Sequence, residues 1–265
     1  MSALLTMHDV TAGYVADIDI LRHINLKVET ASITGLIGLN GAGKSTIMKT
    51  ICGFLPPRDG IIRFEGENIT SIAAHRVIDR GISYIPQESS LFPHMSVENN
   101  LRLPLEHLAR RHGSGSGAGS GHGAGGGDGD GGITRAEIPG RLDDMYAKFP
   151  ALKDKRHAKA GNLSGGQQKM LEFAKAYLVR PRLCLIDEPG IGLAPKIAEE
   201  VYQWIDLFAA ESMAILLVDH NVRRVVKLSR YIYVLSLGEI AAEGGPEAFA
   251  GDLHEQVKGW LGINF

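Results

Sequence analysis

The sequence predicts an α/β fold: a mostly parallel sheet covered by helices on both faces, with an antiparallel β region near the N-terminus and an inserted helical segment. Three observations predict it. Short apolar runs at 33–37, 183–186, 214–218 and 231–235 are separated by helical patterns such as 196–210 and 222–229, the alternation made by buried parallel strands and their covering helices. Residues 4–10 and 24–28 alternate apolar and polar side chains instead, as half-buried antiparallel strands do. From about 97 to 177, helical patterns run without a convincing strand.

Bulk properties narrow the class. With 265 residues, 44% of them hydrophobic, the chain can bury a core as one large domain or two small ones. The 28 Lys and Arg against 30 Asp and Glu leave a formal charge of -2, so no chain-wide positive field draws it to nucleic acid and no such partner is expected. Cys52 falls in a predicted helix and Cys184 in a predicted buried strand, which suits reduced core thiols better than a disulfide. The start lacks a charged segment leading into an apolar run, so no secretory signal is read. No stretch approaches the roughly 20 apolar residues that span a bilayer. Any membrane role would need other chains to supply the membrane part.

Each element then has its own reason. The run 33–37 enters Gly38-Leu39-Asn40-Gly41-Ala42-Gly43-Lys44-Ser45, which fits G-x-x-x-x-G-K-[ST], and 44–51 continues as a helix. Strand, loop and helix come in the order a phosphate loop requires, which disfavours a chance glycine turn. Gly38, Gly41 and Gly43 let the backbone turn and aim its N–H groups at phosphate oxygens, with the dipole of the following helix adding to the pull. Lys44 would reach the β- and γ-phosphates, and the Ser45 hydroxyl would coordinate Mg²⁺. Inside the helical segment, 113–132 alternates glycine with Ser, Ala, His and Asp. It holds too little apolar surface to offset its ordering entropy and is expected to be a flexible loop. His112 and His122 on such a chain make a poor metal site.

Asp187 ends the strand 183–186, where a carboxylate emerges at the C-terminal edge of the sheet and can hold Mg²⁺. Glu188 follows at once, placed to orient or deprotonate an attacking water. Capping of the next helix by Asp187-Glu188-Pro189 is the alternative; the strand leading into the pair argues against it. His220 follows the strand 214–218 and Asp219, and Gln87 follows 82–86. On residues alone, a lone histidine is more often structural and a glutamine after proline is an ordinary turn. Tyr14, after the first strand, reads equally as a partly buried tyrosine or as a platform for a base.

Between these motifs stands Leu163-Ser164-Gly165-Gly166-Gln167. With the phosphate loop upstream and Leu183-Cys184-Leu185-Ile186-Asp187-Glu188 downstream, the chain resembles the ATP-binding subunits of ABC transporters over nearly its whole length. The resemblance implies a P-loop NTPase core of RecA-like type and an ATP hydrolase using ATP and Mg²⁺. It implies one ATP-binding domain, with 1–96 and 180–265 as α/β core and antiparallel β subdomain, and 97–179 as a helical subdomain carrying the loop 113–132. It assigns Gly38, Asn40, Gly41, Ala42, Gly43, Lys44, Ser45 and Thr46 to nucleotide binding, with Tyr14 stacking on adenine. Ser45, Gln87 and Asp187 would hold the metal; Glu188, His220, Gln87 and Lys44 would form the catalytic set. In the family two such domains pair head to tail, so Ser164, Gly165, Gly166 and Gln167 would serve the ATP held by the other protomer. The implied partners are transmembrane permease subunits, a second ATP-binding subunit and a solute-binding protein. The implied location is the cytoplasmic face of the inner membrane, peripheral, through the permeases.

A subgroup also emerges. Gly190-Ile191-Gly192-Leu193-Ala194-Pro195 is similar to the corresponding segment of branched-chain amino-acid importers, and Ala194 stands where common ABC domains have aspartate. The ending Val257-Lys258-Gly259-Trp260-Leu261-Gly262 is similar to the tails of that group. The stretch Tyr84 through Phe92, with Asp219-His220-Asn221-Val222-Arg223, is similar to the ATPase of the lipopolysaccharide exporter. The segment after Glu188 favours the importer. Soluble relatives in translation or DNA repair carry two domains or long coiled coils, and no heptad run is present here. The intact set Lys44, Ser45, Asp187, Glu188 and His220 argues against a binding module with little catalysis.

Overall fold

The computed structural model describes residues 3–113 and 133–249. The glycine-rich run 114–132, with His122, and the ending 257–262 lie outside these residues. In chain order the strands and helices are β1 (Ala3–Ala12), β2 (Leu21–Glu29), β3 (Ile33–Gly38), α1 (Lys44–Ile51), β4 (Asp59–Phe64), β5 (Glu67–Asn68), β6 (Ile82–Ile85), α2 (Val97–Gly113), α3 (Ile138–Lys148), α4 (Pro150–Lys153), α5 (Gly165–Val179), β7 (Leu183–Asp187), α6 (Pro195–Ala210), β8 (Ala214–Val218), α7 (Val222–Leu228), β9 (Tyr231–Ser236) and β10 (Glu239–Gly244). They fall into two units, Met1–Glu88 with Pro181–Phe265, and Ser89–Arg180.

The first unit holds two sheets. One has the order β10-β9-β3-β8-β7-β6, in which every pairing from β9 to β6 is parallel and β10 is an antiparallel edge. Every residue of β7 and β8 is buried, as are the first five of β3; this is why those stretches read as unbroken apolar runs. The other sheet, β2-β1-β4-β5, is antiparallel throughout. Its strand β2 alternates buried and exposed positions along most of its length, with one face on the core and one on solvent. Leu36 of β3 and Ile47, Met48 and Ile51 of α1 join Leu5, Ile24 and Val28 of the antiparallel sheet in one buried cluster. Strands β4, β5 and β10 carry no strong period of their own. β4 is tied to β1 and β10 to β9 by antiparallel pairing, so tertiary contact rather than local pattern makes them strands.

The second unit is helical, with α5 buried along Leu171, Phe173, Ala174 and Leu178. Phe149 meets Tyr177 edge to face at 6.0 Å. Fully buried Asn100 ties down the turn before α2: its side-chain carbonyl accepts from Phe92 N–H at 2.9 Å and its amide donates to the carbonyls of Phe92 and Ser96, each at 3.0 Å. Among the described residues no helix is long and apolar enough to cross a membrane. Cys52 and Cys184 are both free and buried, and burial pushes the Cys52 thiol up to about 12.

Candidate active site

Because β3, β8, β7 and β6 run parallel, the segments that leave their C-terminal ends share one edge of the sheet, where open α/β sheets bind ligands. The Gly38–Ser45 loop leaves β3, Asp187 ends β7, Asp219 and His220 follow β8, and Gln87 follows β6. Parallel topology thus collects at one edge residues far apart in the chain.

The three loop glycines answer different demands. Gly41 and Gly43 have φ of 81° and 110°, the left-handed region where a Cβ is unfavourable. Gly38 has no such dihedral; a Cβ there would lie 2.4 Å from the Leu235 carbonyl oxygen, so the neighbouring strand β9 excludes a side chain. Gly38 therefore serves close approach rather than the turn itself, a correction to its role in the backbone bend. The loop is braced by Ala42 N–H donating to the Leu39 carbonyl at 3.1 Å and by Gly238 N–H donating to the Ala42 carbonyl at 3.0 Å. Ser45 and Thr46 occupy the first turn of α1, and Asn40 is exposed on the loop.

Lys44 is buried, and its ammonium donates to the Gly38 and Leu39 carbonyls, both at 2.9 Å. It also lies 3.6 Å from Glu188 Oε1. The cation of the loop and the acid after β7 therefore meet. Glu188 has φ 44°, a conformation costing about 1–3 kcal/mol for a side chain other than glycine and concentrated at functional sites. Its N–H donates to the Val218 carbonyl at 2.8 Å, so β8 holds that backbone in place. Helix α6 starts only at Pro195, with Ala194 as N-cap, which rules out Asp187 and Glu188 as its cap. Ala194 makes no side-chain cap bond; proline at the first helical position, lacking an N–H, lightens that loss.

Asp187 is 1% exposed. Its Oδ2 accepts from the Tyr84 hydroxyl at 3.2 Å, while Oδ1 is buried with no hydrogen-bond partner. Burial, and next the charge of Asp187, push the Tyr84 hydroxyl well above its ordinary range and keep it a donor. An orphaned buried carboxylate oxygen is rare and calls for a cation or a further donor. His220 and Tyr14 present exposed side chains, and so does Gln87. Tyr14 nevertheless stands over the phosphate-loop helix, with the Lys49 ammonium 5.6 Å from its ring centroid.

In the second unit Ser164 and Gly165 are exposed at the start of α5. Ser164 and Gln167 form a reciprocal capping box: the serine oxygen accepts from Gln167 N–H at 3.4 Å, and the glutamine oxygen accepts from Ser164 N–H at 3.2 Å. This is a second role for both residues, and S-x-x-Q before a helix is its sequence signature. Ser164→Ala is expected to destabilise the protein by about 0.5–2 kcal/mol, measured by denaturant unfolding; an unchanged midpoint would contradict the cap. Two further residues lie outside every motif. Glu172 accepts from Ser90 N–H at 2.6 Å and Lys175 donates to the Ser90 carbonyl at 2.9 Å, so α5 grips both backbone groups of the residue shortly after Gln87 in the chain. A charged residue on the buried face of a predicted helix was the available signal.

A buried lysine in a glycine loop, facing a strained glutamate and a half-satisfied aspartate across a parallel sheet edge, belongs to the P-loop nucleotide hydrolases. Comparison with known proteins makes this specific. The family model described as ABC transporter matches residues 21–190. The high-affinity branched-chain amino acid transport ATP-binding protein BraG of Pseudomonas aeruginosa is 31% identical over 88% of this chain and 89% of its own. The lipopolysaccharide export system ATP-binding protein LptB of Haemophilus influenzae is 29% identical over 99% of both chains. A solved ATP-binding cassette of an ABC transporter matches with a TM-score of 0.77 and 26% identity, covering 98% of this chain and 99% of that one. The chain belongs to the ABC transporter family, as an ATP-binding subunit that hydrolyses ATP.

Proposed function

We propose that this subunit powers import of branched-chain or related amino acids. It would sit at the cytoplasmic face of the inner membrane, bound through transmembrane permease subunits, paired with a second ATP-binding subunit and supplied by a solute-binding protein. The observation that carries the catalytic reading is the contact of buried Lys44 with Glu188 at the sheet edge. In this reading the loop from Gly38 through Thr46 binds the phosphates, with Lys44 exchanging its carbonyl partners for phosphate oxygens. Tyr14 stacks on adenine. Glu188 takes the proton of the attacking water, and Gln87 and His220 complete the geometry around it. The orphaned Asp187 Oδ1 fits a divalent cation, so Asp187, Ser45 and Gln87 would hold Mg²⁺, which when bound would supply positive charge beside the phosphates.

Ser164, Gly165 and Gly166 would address the ATP of the second subunit, which makes turnover depend on pairing. The exposure of Ser164 and Gly165 at the start of a 15-residue helix supports this. The substrate class rests on the likeness to BraG and on Gly190 through Pro195. Lipopolysaccharide export is the second reading, favoured by the near-complete coverage of LptB. Affinity capture from membranes followed by uptake assays separates them: co-purified permeases whose leucine uptake stops when this subunit is deleted support import. Co-purified subunits that extract lipopolysaccharide, with leucine uptake intact, would replace the proposal with export.

A further inference from the structure

One buried polar pair lies beside the candidate site without belonging to any of its motifs. The Tyr202 hydroxyl, on α6, donates to Asp219 Oδ2 at 2.7 Å. Asp219 is 1% exposed; its Oδ1 accepts from Asn221 N–H at 2.8 Å and lies 3.7 Å from His220 Nδ1. A carboxylate withdrawn from water is costly unless its oxygens are bonded. Here both are, so the carboxylate is locked in one place.

The pair lies among groups from the neighbouring segments. The Arg224 guanidinium lies over the Tyr202 ring, 4.2 Å from its centroid, and Arg224 pairs with Glu199 one turn earlier on α6. The Tyr202 hydroxyl stands beside Gly190, where an added Cβ would approach it to 3.7 Å. The Glu188 N–H is bonded to the carbonyl of Val218, the residue before Asp219. The end of β8 is therefore bonded to Glu188 through Val218, and the next residue, Asp219, to α6 through Tyr202. The His220 side chain is 59% exposed, so packing alone does little to orient it.

We propose that Tyr202 and Asp219 are positioning residues for ATP hydrolysis: the buried hydroxyl–carboxylate pair fixes the His220 segment against α6, in register with Glu188. The inference deepens the function proposed above and rests on the role given there to His220. Misplacing a catalytic group by about 1 Å costs up to about 100-fold in rate, which sets the scale of the effect.

The test is a double-mutant cycle on the full chain, assayed for Mg²⁺-dependent ATP hydrolysis and, separately, for equilibrium ATP binding. Tyr202→Phe removes one oxygen and is expected to lower kcat about tenfold while the ATP dissociation constant stays at the wild-type value. Asp219→Asn, nearly isosteric, is expected to behave alike and serves as the second probe should Tyr202→Phe fold poorly. In a His220→Ala background neither substitution should lower kcat further, because the ring they position is gone. Wild-type kcat in both variants, or the same fold-loss with and without His220, would overturn the inference. Wild-type kcat in His220→Ala alone would overturn the role of His220 itself and the inference with it, so the two failures are told apart.

Discussion

Glu188→Gln is expected to bind ATP as wild type does and to turn it over at least about 100-fold more slowly, since a positioned general base contributes about 10²–10⁴ in rate. The structure explains why the loss should fall on chemistry alone. The backbone of Glu188 is held at φ 44° by the hydrogen bond from its N–H to the Val218 carbonyl, which a glutamine makes equally well. Its amide oxygen can still accept from Lys44, 3.6 Å from the carboxylate, so the loop should keep its shape. Only the proton-accepting charge is removed. Phosphate release under saturating ATP, set beside equilibrium ATP binding, measures the separation; wild-type turnover would exclude Glu188 as the base.

Lys44→Met is expected to have the second large effect, and on binding rather than chemistry. Methionine keeps the buried stem but deletes the donors that now satisfy the Gly38 and Leu39 carbonyls. A hydrogen bond to a charged group is worth about 1.5–3 kcal/mol, so losing one phosphate contact raises the ATP dissociation constant about 10- to 150-fold. The same change leaves the buried Glu188 carboxylate without its cation, and the thermal midpoint should fall. Adding Glu188→Gln to Lys44→Met should recover part of that midpoint, because the stranded charge is then gone. Calorimetric titration and thermal unfolding read the two effects. An unchanged dissociation constant would remove Lys44 from phosphate binding.

The candidate site at the sheet edge was legible because its parts carry local signatures. A glycine loop between a strand and a helix, and a carboxylate pair at the end of an apolar run, are decided within a few residues. The core strands were equally legible, since burial on both faces leaves an unbroken apolar run. Strands β4, β5 and β10 were not. Their sequences, such as DGIIRF and EIAAEG, are half exposed, and only pairing with β1, β4 or β9 selects the extended state. Tyr202 and Asp219 escaped for a related reason: each is unremarkable in its own element, and nothing in the spacing between them announces a 2.7 Å bond. The motif makes Gly38 a turn glycine, whereas the Leu235 carbonyl in β9, distant in the chain, is what forbids a side chain there.

By itself, then, the sequence determined the glycine loop between strand and helix, the carboxylates that follow the strands, and the family in which all of them occur together. These depend on short-range patterns, in which residue type and spacing already contain the physical reason. The tertiary structure alone decided how those residues are held. Lys44 rests on its own loop and on Glu188, Glu188 is strained and pinned by β8, Asp187 keeps one oxygen unsatisfied, and Asp219 is locked by a tyrosine from α6. Such arrangements join residues from separate elements, and their energies come from burial and bonding that exist only after the sheet has assembled.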